Sequence, residues 1–248
     1  MNTLSYRPNL LFLLWIRNKH TLFLLNHKLN KQLYYRKLII ALTTKETGND
    51  VDGPFIIWKV NGKKHRDDGP AYIQVISNNN PNGTYHAYYK HGKRHRDDGP
   101  AKIYGISKEN PNGTKHYYYI NGYYHRDNGP ACIYGISKEN PNGTYNEYYQ
   151  HGKRHRDDGP SCIDEISTEH PNGTEHIYYQ HGIQHRDDGP AYIEGISTEN
   201  PNGTIHGYYQ HGERHRDDGP ARTDGISKEN PNGTEHEYYI NGVKVDSF

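Results

Sequence analysis

Eighteen histidines occur in the 248-residue chain, and fifteen of them fall at three recurring positions. If a tight turn at His91-Gly92 closes a hairpin, residue 90 faces 93, 89 faces 94, 88 faces 95 and 86 faces 97. That register puts His86, His95 and Asp97 on one face beside Tyr88, with the same trio at His116, His125 and Asp127, at His176, His185 and Asp187, and at His206, His215 and Asp217. Two imidazoles and a carboxylate are ligands for a divalent metal. Against a metal site stand Asn146, which replaces a histidine in one copy, and Tyr88, which competes for His95. The residues favour a hydrogen-bonded ladder, in which the aspartate holds the histidine and the histidine meets the tyrosine. No cofactor is implied.

Two other motifs carry chemistry in name. His-Arg-Asp occurs in the catalytic loop of protein kinases, but that loop needs an Asn five residues past the Asp and a glycine-rich nucleotide loop. The chain has neither, and six copies of a catalytic loop serve no reaction. Asn-Gly-Thr, at Asn82, Asn112, Asn142, Asn172, Asn202 and Asn232, matches a glycosylation acceptor. It equally matches a tight turn, which is the better reading in a chain without a convincing signal sequence.

What positions all these residues is a 30-residue repeat. His-Arg-Asp-Asp-Gly-Pro begins at His65, His95, His155, His185 and His215, with Asn128 in the version that begins at His125. Pro-Asn-Gly-Thr recurs between copies from Pro81 to Pro231. A fixed period of this length signals stacked supersecondary units. Within a unit, a Tyr-rich run ends at Asn-Gly or His-Gly, the strongest short hairpin signal. A return strand is then disturbed at Gly-Pro, where proline cannot donate to a ladder. The reading is a mainly β protein: an elongated antiparallel β-hairpin repeat array at residues 51–248, preceded by a short Leu-rich helical segment at 1–46, with the stretch 43–50 as a polar junction. In that segment Leu22, Leu25, Leu29 and Leu33 keep helical spacing. The apolar run at residues 10–16 is too short to span a bilayer.

Every Leu lies at or before Leu42, so the array has no Leu core and relies on Tyr, Ile, hydrogen bonds and turns. Thirty basic against 29 acidic residues give a net charge of +1, which favours neither nucleic acid nor an anionic membrane. Cys132 and Cys162 are two strand spacings apart in a two-strand repeat, roughly 9.5 Å. They are too far apart for a disulfide, so both are read as free thiols in a reducing compartment. That places the chain in the cytoplasm.

Trp58-Lys59-Val60-Asn61-Gly62-Lys63-Lys64-His65-Arg66-Asp67-Asp68-Gly69-Pro70-Ala71 resembles a divergent MORN (membrane occupation and recognition nexus) repeat, and the resemblance covers about four fifths of the chain. The pattern is also similar to repeat proteins of unassigned role in giant DNA viruses. Thr-x-His-x-Tyr stands here for the usual Tyr-x-Gly-x-Trp, and the period is longer than the family's. The resemblance implies a β-hairpin array and, by its name, membrane association that the charge does not support. Residues 21–34 resemble the latter half of an F-box, which implies an adaptor of a ubiquitin ligase; Arg7-Pro8-Asn9-Leu10 stands where an F-box opens Leu-Pro-x-Glu.

Constant positions are what stacking demands, so the Tyr88 face is assigned to packing and the variable 85/87 face mainly to solvent. Tyr89 opposite Arg94 forms a cation–π pair there. Tyr89, Arg94, Tyr119, Tyr149, Arg154, Tyr179, Tyr209 and Arg214 are the candidates for binding a protein partner. No polar cluster peculiar to one repeat is found, and the expected function is a non-catalytic scaffold for protein–protein interaction.

Overall fold

The computed structural model describes residues 28–31, 43–81, 83–170 and 173–246. Lys28 to Lys31 are helical and exposed; the rest of the Leu-rich segment before Thr43, with its helical stripe, apolar run and F-box-like stretch, lies outside the described residues.

Each hairpin closes where the turn chemistry requires. His91 takes φ 52° and Gly92 φ 84°, the two positive values of a type I′ turn. Tyr89 pairs with Arg94 and Lys90 with Lys93. The amide of His95 still donates to the carbonyl of Tyr88, at 3.2 Å. There the strands part. The chain loops out from His95 to Pro100, and the Tyr88 amide donates instead to Ala101 O at 2.7 Å. Lys102–Tyr104 then pairs with Tyr85–Ala87, with His86 opposite Ile103. An unbroken register would put His86 opposite Asp97; the true partner is six residues on, the length of the hexapeptide. Proline lacks a donor and ends the ladder, so the hexapeptide becomes an excursion rather than a bulge within a strand.

The three-residue strands on either side of each excursion join into one long antiparallel sheet of sixteen strands. It opens with Thr43–Asp50 paired along its whole length with Gly53–Val60, and closes with Glu235–Ile240 against Val243–Val245. The stretch 43–50, expected as a polar junction, is therefore the first strand. An edge strand needs only one hydrogen-bonded side, and polar residues suit its exposed faces. Beside the main sheet runs a row of two-stranded hairpin ends, such as Tyr89–Lys90 with Lys93–Arg94. Neighbouring ends are tied by backbone bonds, Gly92 N to Lys64 O at 2.8 Å and Arg96 N to Tyr119 O at 3.2 Å.

One face of the main sheet carries a row that reads Ile73, His86, Ile103, His116, Ile133, Asn146, Ile163, His176, Ile193, His206. The other face carries the 85 and 87 positions. This second face is not mainly solvent-exposed: Ala87, Glu147, Gly207, Cys132 and Cys162 are all buried. Residues 85, 87 and 89 share a face, so the long Tyr and Arg side chains of the hairpin ends lie back over it. At the bend Ala71, Ala101, Ala131, Ser161, Ala191 and Ala221 have no exposed surface. Only a small side chain fits there, and Ser161 makes up for its hydroxyl by donating to Ile177 O and accepting from Tyr179 N at 2.8 Å.

The Pro-Asn-Gly-Thr loops turn the chain back. The Asn110 amide donates to Ser107 Oγ at 3.0 Å and Gly113 N donates to Asn110 O at 2.9 Å. Gly113 has φ 81°, and a Cβ there would come within 2.5 Å of both Tyr104 O and Ile103 Cγ2. Gly122, in a hairpin turn, has φ 93° but no atom closer than 3.8 Å to an added Cβ. Gly122→Ala should therefore cost about 1 kcal/mol of backbone strain, and Gly113→Ala a further 1–3 kcal/mol of overpacking. Urea denaturation of the two variants should separate them in that order.

Candidate interaction surface

Each residue of the hexapeptide has a task. The Arg96 guanidinium stacks on Tyr88 at 4.1 Å from the ring centroid, and the same stack recurs at 3.9–4.2 Å in all six copies, with Trp58 under Arg66 in the first. Arg96 Nε donates to Asp98 Oδ1 at 2.8 Å and its Nη1 reaches the Pro100 carbonyl at 3.4 Å. The arginine holds the Asp98 carboxyl below the usual carboxylate range. Arg126, which has Asn128 where the other copies have an aspartate, keeps the bond to Pro130 O and the stack on its ring. His95 accepts the amide of Asn121 at Nδ1, 3.1 Å, from the turn of the next hairpin. That bond recurs in all six copies at 3.1–3.3 Å. With Nδ1 accepting, the ring proton sits on Nε2, which donates to Asp97 Oδ1 at 3.0 Å.

His95 and Asp97 are thus together, while His86 sits apart in the main sheet opposite Ile103. Among the described residues no group of three His, Cys, Asp or Glu side chains is placed to hold a metal. The ring of His95 meets the next turn rather than Tyr88, whose face is taken by Arg96. His116, the counterpart of His86, donates from Nε2 to Asn112 O at 2.7 Å, and burial lowers its pKa. On this Ile/His side a trough is lined by Ile133 and Ile163 of the sheet, by Pro130 of an excursion and by Pro141 of a Pro-Asn-Gly-Thr loop.

The candidate partner-binding residues form a ladder along the hairpin ends. Arg94 lies between the rings of Tyr89 and Tyr119, at 5.9 and 5.5 Å; Arg154 lies between Tyr149 and Tyr179; Arg214 lies between Tyr209 and Tyr239. Tyr124 fills the arginine position between Tyr119 and Tyr149. These side chains are half-buried or, for Tyr119, buried, so much of their surface is engaged within the array.

Two features escaped the sequence. The first is the row of hairpin tips: Lys63, Lys93, Tyr123, Lys153, Ile183, Glu213 and Val243 are all exposed, with Tyr123 at 61%, Ile183 at 49% and Val243 at 65%. The first six lie each against the turn glycine of the next hairpin, as Tyr123 does against Gly152. Their variation between repeats was the available signal. The second is a buried polar cluster in the middle of the sheet. Glu147 is 5% exposed and lies between Cys132 and Cys162 in the sheet. Its carboxylate accepts from Arg154 and, at 3.4 Å, from Tyr149 Oη. An unbroken register would have put Glu147 opposite Arg156 and away from both thiols; the excursion brings the three together. Both cysteines are free and buried, and burial pushes Cys132 far up and Cys162 up to about 11.

No family model matches the chain, and no curated protein or solved structure does. Among the described residues no helix is long and apolar enough to cross a membrane.

Glu147→Ala should cost 2–4 kcal/mol, roughly the penalty for leaving Arg154 without its buried partner. Pairing it with Arg154→Met should recover most of that, as read by thermal melts of the single and double variants. The raised thiol and phenol values set a second expectation. A group whose folded pKa is raised favours the neutral form in the fold, so its stability is complete below the ordinary value and lost as pH climbs through the folded one. Cys162 rises from 9.0 to about 11, and Tyr72 and Tyr149 rise from 10.0 to about 12. The melting midpoint should hold to about pH 9 and fall between 9 and 12, with Cys162 alone accounting for on the order of 2 kcal/mol. Iodoacetamide at pH 8 should label neither cysteine until the chain is unfolded.

Proposed function

We propose that this chain is a non-catalytic repeat scaffold, akin to MORN-type arrays, that binds a protein partner along its row of hairpin tips. The observation that carries this reading is the division of labour within the repeat. The constant residues are spent on holding the array together: His95 and Arg96 on turn and ring, Gly113 on a close backbone approach, Ala101 on the bend. The tip row, by contrast, is exposed and variable, and it includes an aromatic and two aliphatic side chains among three lysines and a glutamate. Exposed apolar anchors spaced among charges are the composition of a recognition surface. A near-neutral chain gives no electrostatic reason to choose nucleic acid or an anionic bilayer as the partner.

The test is affinity capture with the intact chain and with Tyr123→Ala, Ile183→Ser and Val243→Ser combined. These residues are exposed and follow directly on the hairpin turns, so the substitutions should leave the melting midpoint within a few degrees. A protein recovered by the intact chain and lost by the triple variant supports the reading. Equal recovery by both, or recovery of lipid or glycan without protein, overturns it.

A further inference from the structure

The tyrosine face of the sheet is electrically lopsided. In its first half, Lys102 Nζ sits among the rings of Tyr104, Tyr117 and Tyr85 at 4.7, 5.1 and 5.9 Å, and Lys115 lies 6.0 Å from the Tyr134 ring. Neither lysine has an ion-pair partner among the described residues. In the second half, Asp164 stands directly opposite Glu175, and Glu175 directly opposite Glu194. Like charges in facing register destabilise a sheet. The carboxyl of Glu175 is pushed up by burial and by Asp164, Glu194 and Glu165. These carboxylates also have no cationic partner among the described residues; Glu194 takes only a hydroxyl, from Tyr192 at 2.6 Å. The middle is neutral and aromatic, with Tyr134 opposite Tyr145 at 5.3 Å between ring centroids and Glu147 already neutralised by Arg154.

The spacing of the two halves is symmetric. Counting strands across the sheet, Tyr85, Tyr104, Lys115, Tyr134, Tyr145, Asp164, Glu175 and Glu194 occupy one row on eight successive strands. A two-fold axis parallel to the strands between Tyr134 and Tyr145 maps that row onto itself reversed. It sets Lys115 on the Asp164 of a second copy. It sets Tyr104, with Lys102 two residues before it on the same face, on that copy's Glu175. Tyr134 meets Tyr145 at the axis. We infer that this face binds a second copy of the chain, in an isologous dimer with tyrosines at its centre and lysine–carboxylate pairs on both flanks.

An isologous interface requires a self-complementary patch, and one patch that is basic on one side of its axis and acidic on the other meets that requirement. Its extent is adequate. From Tyr72 to Ile205 the face spans nine strand spacings, about 43 Å, and its three rows, those of Tyr85, Ala87 and the hairpin-end Tyr89, span about 14 Å. The two copies would bury on the order of 1,200 Å² in total, at the lower end of specific interfaces. The dimer is therefore expected to be weak and salt-sensitive. The inference goes beyond the tip-row reading and does not depend on it: Tyr123, Ile183 and Val243 begin the return strands of the hairpin ends and alternate away from this face.

Sedimentation velocity on the full chain decides the matter. In about 20 mM salt the intact protein should be dimeric at tens of micromolar, and about 1 M salt should dissociate it. Lys102→Glu with Lys115→Glu makes both halves acidic, and Asp164→Lys with Glu175→Lys makes both basic. Each variant should associate at least tenfold more weakly than the intact chain, and an equimolar mixture of the two should recover a dimer. Recovery on mixing is an outcome that damage to the fold cannot mimic. Should either reversed variant fail to fold, Asp164→Asn with Glu175→Gln removes the repulsion and must still weaken the dimer. The triple tip variant should dimerise like the intact chain. A monomer at about 100 µM in low salt overturns the inference and leaves the two charged halves to other partners. A dimer unaffected by salt and by both reversals overturns it equally.

Discussion

The structure depends on how the six-residue excursion from His95 to Pro100 is held shut. A hairpin strand that leaves its partner for six residues would ordinarily lose register, because nothing in a sheet specifies where pairing resumes. Here the stack of Arg96 on Tyr88, the Arg96 bond to Pro100 O and the Tyr88 amide on Ala101 O bind the two ends of the excursion together. A desolvated guanidinium–aromatic stack contributes about 1–2 kcal/mol, more than an exposed ion pair. The Arg96–Asp98 pair is the minor partner, since Asp98 is 82% exposed. Arg126 makes the same point: it loses the carboxylate to Asn128 and keeps the stack, at 3.9 Å. Aspartate orients the guanidinium, and the ring holds it.

From this clamp the rest of the array follows. With the excursion closed, His95 projects toward the next hairpin and accepts its turn amide, so each unit fixes the tip of its neighbour. Resumption of pairing at Lys102 sets His86 opposite Ile103, and hence the Ile/His row on one face and the tyrosine rows on the other. An array without leucine can stand on this because each repeat satisfies its backbone groups through its neighbours, and small side chains at the bend allow the strands to close up.

What could be read beforehand was local. Turn residues declare themselves, because positive φ at two successive positions restricts the choice to Asn, His or Gly, so the hairpins and their pairing from Lys90 to Arg94 were legible. The mainly β class and the separation of the two cysteines followed from period and strand spacing. What was not legible was the pairing beyond His95. Proline announces a disturbance but not its length, and a bulge and a six-residue excursion place different residues across from His86. The assignment of the 85/87 face to solvent, the reading of Thr43–Asp50 as a junction and the failure to see Glu147 beside Cys132 and Cys162 share one cause. Each concerns pairing between strands whose register local chemistry leaves open.

The same register decides which differences between repeats carry information. Position 87 and its equivalents read Ala87, Tyr117, Glu147, Ile177, Gly207 and Glu237, which looks like free variation along the chain. Across the sheet each of these residues lies between two others that differ as well, so the row Lys102, Tyr117, Cys132, Glu147, Cys162, Ile177 is a composed surface and not a series of tolerated substitutions. A buried carboxylate between two thiols persists only because Arg154 reaches it from the adjoining hairpin, in place of the Tyr124 or Gln184 that fill that position one repeat away on either side. Repeats that agree at the clamp arginine and proline and disagree at face positions have separated the residues that fix the register from those that differ between strands. The clamp makes that separation possible, because it fixes the register without using any side chain of the tyrosine face.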